Sequence, residues 1–186
     1  MQLGVNHLGH FALTAQLLPL MADVEGSRIA AMSSIGHRAG RLDLSDLMFT
    51  RRRYQRWPAY FQSKLANLLF TADLSDRLER AGARTIAVAA HPGVSHTDLG
   101  TEGTSLSNRF TSMIYPGVSQ SALMGALPML RALTDVRARG GEFYGPRWVW
   151  AGAPVRETPS RRARNADDAT ALAVESARLT GVELPL

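Results

Sequence analysis

Tyr60 and Lys64 are the residues whose types and spacing point most directly to chemistry. They stand four apart at the start of an apolar-striped segment, so on a helix they share one face. An ammonium held beside a phenol favours the phenolate, which suits the hydroxyl to proton transfer near neutral pH. Such a pair could exchange a proton with a carbonyl or alcohol oxygen. Alone, Y-x-x-x-K is a weak pattern, because many helices carry it by chance. Ser34 stands just past the apolar run Arg28 to Met32, which reads as a buried strand, and open α/β sheets keep ligand sites at strand ends. Its hydroxyl could hold a substrate oxygen, or it could only close the strand. Asn6 interrupts an apolar segment, where a buried amide needs partners: a nearby backbone carbonyl, or a water in a proton chain. His91-Pro92-Gly93 follows a second apolar run. It is either a sharp turn and nothing more, or a turn that offers backbone groups to a cofactor ring.

The remaining histidines carry less. His7 and His10 lack a third ligand partner and read as packing residues; no metal site is expected. His37 and His96 fall in loops near the other candidates, where either could touch substrate, and solvent exposure is the favoured reading.

The elements that must position these groups follow from periodicity. Residues 3–21 read as a largely buried helix, and 28–34 as a strand with its closing serines. A polar irregular stretch leads to a long helix over 58–81, opened by Pro58 and stopped by Gly82. Residues 85–90 read as a second buried strand, 117–134 as a helix interrupted at Pro128, and 142–144 as a short last strand. A Pro- and Arg-rich linker over 151–164 precedes a helix that starts near Asn165, with Asp167 and Asp168 in its first turn, and ends at Gly181. Alternating helices and strands predict an α/β parallel sheet with helices on both faces. The stretch Val94 to Pro116 is long and without period, and reads as a functional loop or lid.

Composition narrows the class. The chain has 186 residues, 45% of them apolar, enough for a globular domain with a core. With no cysteine, disulfide frameworks and thiolate metal sites are excluded, and a reducing cytosol fits. The net charge of +5 gathers in two clusters, Arg51, Arg52, Arg53 and Arg56, then Arg161, Arg162 and Arg164. A nucleic-acid module is one reading of them. Exposed loops are the favoured one, since no aromatic ladder accompanies them, and no nucleic-acid partner is expected. The segment Leu3 to Met21 lacks a basic n-region and contains Asn6, His7, His10 and Gln16, so the expectation is a soluble, cytoplasmic protein with no membrane partner.

Taken together, the motifs resemble the short-chain dehydrogenase/reductase family, in its retinol-dehydrogenase and protochlorophyllide-reductase-like branch. The runs that carry the resemblance are Gly4-Val5-Asn6-His7-Leu8-Gly9-His10-Phe11, Arg28 to Ser34, Tyr60-Phe-Gln-Ser-Lys64-Leu-Ala-Asn67, and His91-Pro92-Gly93 with Thr97. The gap of 26 residues from Ser34 to Tyr60 (60 − 34) suits that branch. The resemblance covers roughly residues 1–150, implying a partial Rossmann-like catalytic domain there, with 151–186 a linker and helix. It implies NAD or NADP as cofactor and hydride transfer to or from a carbonyl or alcohol substrate. It makes Tyr60 the general acid/base. Lys64 lowers its pKa and bonds the nicotinamide ribose. Ser34 orients the substrate oxygen, and Asn6 holds a relay water. Pro92, Gly93, Val94 and Thr97 line the nicotinamide, with Ser95 a departure from the family's usual Val or Ile. It also implies a homo-oligomer built through helices 3–21 and 58–81.

One family feature is not in these residues. No G-x-G-x-x-G-like run and no Asn-Asn-Ala-Gly segment occurs, so the resemblance implies a phosphate-binding half of roughly 100 residues upstream and about three strands of the doubly wound sheet here. A mis-set start codon, a truncated gene or a fragment would each account for that. An apolar strand left at a sheet edge invites pairing with another chain, so the alternative to an oxidoreductase is a catalytically inactive remnant that acts by association. The lid offers Leu99, Leu106, Phe110, Met113, Ile114 and Tyr115, which hints at a lipophilic substrate.

Overall fold

The computed structural model describes residues 1–94 and 120–186. β1 (Arg28–Met32) and β2 (Ile86–Ala90) run parallel, in register from Arg28↔Ile86 to Met32↔Ala90. β3 (Phe143–Pro146) joins β2 in parallel through Ala89↔Phe143 and Ala90↔Tyr144. β4 (Pro154–Glu157) pairs antiparallel with β3, giving the order β1-β2-β3-β4. The described residues therefore hold four strands where about three are expected, and β4 lies inside the stretch 151–164 that reads as a linker. Pro-Val-Arg-Glu shows neither an apolar run nor alternation, and a short edge strand needs neither. Pro154 stands at its first position, where a strand tolerates proline.

Helices occupy both faces, as the alternation predicts. The first opens with a π-helical turn, Gly4–Leu8, and continues as α1 (Gly9–Met21). α2 spans Arg56–Arg80, followed by Gly82 at φ +65°. α3 spans Ala122–Thr134, with the Ser121 hydroxyl accepting from the Met124 amide. The expected helical residues 117–119 lie outside the described residues. α4 (Ala166–Thr180) is capped by the Asn165 side chain, which accepts from the amides of Asp167 and Asp168, and ends at Gly181 with φ +70°.

The period of two along β2 divides the core. Ala87 and Ala89 face α1, α2 and α4, where Phe11, Leu18, Leu65, Leu69, Phe70, Leu74 and Leu172 are buried. Val88 and Ala90 face α3, with Ala132 and Tyr144. Two expectations of burial are corrected. β1 is half-buried throughout, because no strand pairs with its outer edge among the described residues. The first helix buries only one face, through Phe11, Ala15 and Leu18, while Leu13, Leu17 and Leu20 are 58%, 42% and 75% exposed. No helix among the described residues is long and apolar enough to cross a membrane.

Candidate active site

Parallel pairing brings the ends of β1 and β2 to one side, and there the candidate residues collect. The first turns of α2 meet the end of β1 directly. The Ser33 hydroxyl donates to the Lys64 carbonyl at 2.8 Å. In return, the Lys64 ammonium donates to the Met32 carbonyl at 3.3 Å, and the Asn67 amide donates to the same oxygen at 2.9 Å. The last carbonyl of β1 thus anchors two polar side chains of α2, spaced by one helical turn.

Lys64 Nζ lies 5.7 Å from the centre of the Tyr60 ring, so the pair shares a face as the spacing predicts. Burial pushes the Lys64 pKa down, because the ammonium loses hydration that one carbonyl only partly replaces. Tyr60 packs edge-on against Trp57 and Phe61. Gly36 leaves the room for this: a Cβ there would lie 2.7 Å from Phe61 Cδ1 and 3.4 Å from Tyr60 Cε1. Ser34, in extended conformation, caps the 3₁₀ turn Ile35–Ala39 by accepting from the Gly36 amide at 3.1 Å. Its own O–H remains able to donate. The bond to Gly36 shows the chain-closing role of Ser34, and it leaves the hydroxyl proton uncommitted to that bond.

Asn6 sits in the π-helical turn, a distortion that tends to mark functional positions. Its amide donates to the Ser63 hydroxyl at 3.0 Å, and Ser63 donates on to the Tyr60 carbonyl at 2.8 Å. The partner is thus a side chain of α2, rather than a nearby backbone carbonyl. Asn6, Ser34, Tyr60, Lys64, Pro92, Gly93 and Val94 are all half-buried. Pro92, Gly93 and Val94 turn the chain beyond β2, with Gly93 at φ +69°. Thr97, Ser95, His96 and nearly all of the expected lid lie outside the described residues.

Two histidines depart from or fill out their expected roles. His37 is buried, not solvent-exposed: its Nδ1–H donates to the Ser34 carbonyl at 2.7 Å and its Nε2 accepts from the Ser160 amide at 3.3 Å. Burial lowers its pKa to about 4. His7 packs between Phe11 and Phe70, 2.8 Å from the Ser176 hydroxyl, the packing role its surroundings suggest. Among the described residues, no group of three or more His, Cys, Asp and Glu could hold a metal ion.

The chain is 38% identical over 191 residues to retinol dehydrogenase 13 of Homo sapiens, an alignment that covers 100% of the chain and 55% of that protein. It is 34% identical to retinol dehydrogenase 12 of Mus musculus, covering 97% of the chain and 54% of the relative. A crystal structure of an uncharacterised protein from Mycobacterium Paratuberculosis superposes with a TM-score of 0.79 at 43% identity, over 99% of this chain and 60% of that one. The chain belongs to the short-chain dehydrogenase/reductase family. It spans about half the length of the curated relatives it matches. No protein-family model matches it.

In this short-chain dehydrogenase/reductase chain, several buried polar residues around the candidate site escape a sequence reading. Ser63 and Asn67 follow Tyr60 at three and seven residues, on the helical face of the Tyr-Lys pair, and that spacing is a signal that could have found them. Gln62, which accepts from Arg52 at 2.7 Å and donates to the Leu47 carbonyl at 2.9 Å, carries no such signal. Its partners are set by the irregular stretch before α2. Arg52 also pairs with Asp43 and Asp46, so part of the first arginine cluster serves the fold.

Proposed function

We propose that this chain supplies the proton-transfer side of an oxidoreductase in which hydride passes between NAD or NADP and a carbonyl or alcohol. The observation that carries the reading is the gathering of Ser34, Tyr60 and Lys64 at the ends of parallel strands, beside the Pro92-Gly93 turn. The donor set suits the nicotinamide-ribose end of such a cofactor. Lys64 spends one of its three N–H bonds on the Met32 carbonyl and keeps two for ribose hydroxyls. The nicotinamide, when bound, supplies or accepts the hydride. In the reductive direction the Tyr60 hydroxyl gives its proton to the carbonyl oxygen, while the Ser34 O–H donates to that oxygen and fixes its position. Lys64 stabilises the phenolate that remains. Asn6, Pro92, Gly93, Val94 and Thr97 shape the remainder of the site. The relatives bear the name retinol dehydrogenase, and for this chain we extend that to a lipophilic alcohol or aldehyde.

Titrating NADH and NADPH into the chain, and following their oxidation with a lipophilic aldehyde, tests the reading. Tyr60→Phe should lower turnover by roughly 10²–10⁴-fold while cofactor affinity changes little. Undiminished carbonyl reduction by that variant would remove Tyr60 from the mechanism. A second reading, association without catalysis, is favoured by the outer edge of β1, with which no strand among the described residues pairs, and by the exposed Leu13, Leu17 and Leu20. It extends to a homo-oligomer through the first helix and α2. Absence of any cofactor binding, together with self-association in sedimentation, would select it.

A further inference from the structure

Glu157 and His91 come from different elements and meet under the turn that follows β2. The His91 ring is 1% exposed and stacks on Phe143 at 5.2 Å. Its Nδ1 accepts from the Gly93 amide at 3.1 Å, and its Nε2 lies 3.0 Å from Glu157 Oε1. A ring nitrogen that accepts an amide proton carries none of its own, so the proton of the imidazole sits on Nε2 and is donated to the carboxylate. The other oxygen of Glu157 is held by Arg38 at 3.5 Å. The bond passes over Gly145 on β3. A Cβ at that position would lie 2.1 Å from Glu157 Oε1 and 2.2 Å from His91 Nε2.

The same turn is gripped from its other side. The Gln120 amide donates to the Pro92 carbonyl at 2.8 Å, and its oxygen accepts from the Gly152 amide at 3.0 Å. The Val94 amide donates to the Trp150 carbonyl at 2.8 Å. All of these partners lie 26 or more residues from the turn in sequence, and most belong to β4 or to the loop joining β3 to β4.

We propose that Glu157, His91 and Gln120 are positioning residues that set the Pro92-Gly93-Val94 turn through a carboxylate–imidazole–amide chain and a glutamine clamp, and so fix the wall of the site against which a nicotinamide ring lies. The last clause rests on the oxidoreductase reading above; the chain of bonds does not. Glu157 acts through His91: it holds the tautomer that leaves Nδ1 bare for the Gly93 amide.

The test starts from the unaltered chain without cofactor. Long-range ¹⁵N–¹H spectra should show His91 protonated at Nε2 and bare at Nδ1; the opposite tautomer overturns the proposal outright. Amide exchange at Gly93 should quicken by roughly tenfold or more in Glu157→Ala, as expected for loss of a charge-assisted bond. It should stay slow in Glu157→Gln, whose side-chain oxygen still accepts. Gly145→Ala should mimic Glu157→Ala, because the methyl group enters the bond while both partners remain. Unchanged Gly93 exchange in Gly145→Ala and Glu157→Ala, with β2 amides still protected, also overturns it. Adding NADH should shift the Gly93 resonance. Should His91 show the expected tautomer while NADH leaves Gly93 unmoved, the cofactor reading fails and the positioning of the turn stands.

Discussion

Replacing His7 by Gln should flatten the acid dependence of stability. The His7 ring is 1% exposed between Phe11 and Phe70, and burial lowers its pKa from 6.5 to about 4. Between those values the unfolded chain takes up a proton that the folded chain refuses, so unfolding becomes more favourable as pH falls. The withdrawal is absent above pH ~7, reaches about 2 kcal/mol at pH 5, and levels near 3 kcal/mol below pH ~4, from 1.36 kcal/mol per pKa unit. His7→Gln can keep a bond to the Ser176 hydroxyl and cannot titrate. Its constant cost cancels when each protein is compared with itself across pH. Buried His37 adds to the loss in the same direction in both proteins and cancels too. Urea unfolding at pH 8, 7, 6 and 5 measures the difference. The wild type should lose about 2 kcal/mol more than His7→Gln between pH 8 and 5. Parallel pH profiles would refute the buried, neutral assignment of His7.

Gly36→Ala forces Phe61, which packs on Tyr60, to move; overpacking of this kind costs about 1–3 kcal/mol and should lower the melting temperature. A melting point unchanged from wild type would show that Phe61 yields without cost. Asn165→Ala removes the cap of α4 and should cost about 1 kcal/mol in urea unfolding, whereas Asn165→Asp should retain most of it.

The amino-acid sequence by itself determined the order of the elements other than β4, the helix stops at Gly82 and Gly181, the helix start near Asn165 and the Tyr60–Lys64 pair. Each depends on local rules: periodicity, left-handed glycine, side-chain capping and helical spacing. That a group of motifs spread from Asn6 to Gly93 belongs together was also legible, through its resemblance to a family. Tertiary structure alone decided which partners they meet. Asn6 reaches Ser63, the Met32 carbonyl collects both Lys64 and Asn67, and Glu157 finds His91 across 66 residues. β4 escaped notice because an edge strand of Pro-Val-Arg-Glu owes its conformation to pairing with β3, not to any preference of its own. The one-sided burial of the first helix escaped for the same reason: its apolar residues surround the axis, and packing chose the face. Local chemistry writes itself into neighbouring residues, whereas hydrogen bonds between distant segments exist only after the sheet has brought the strand ends together.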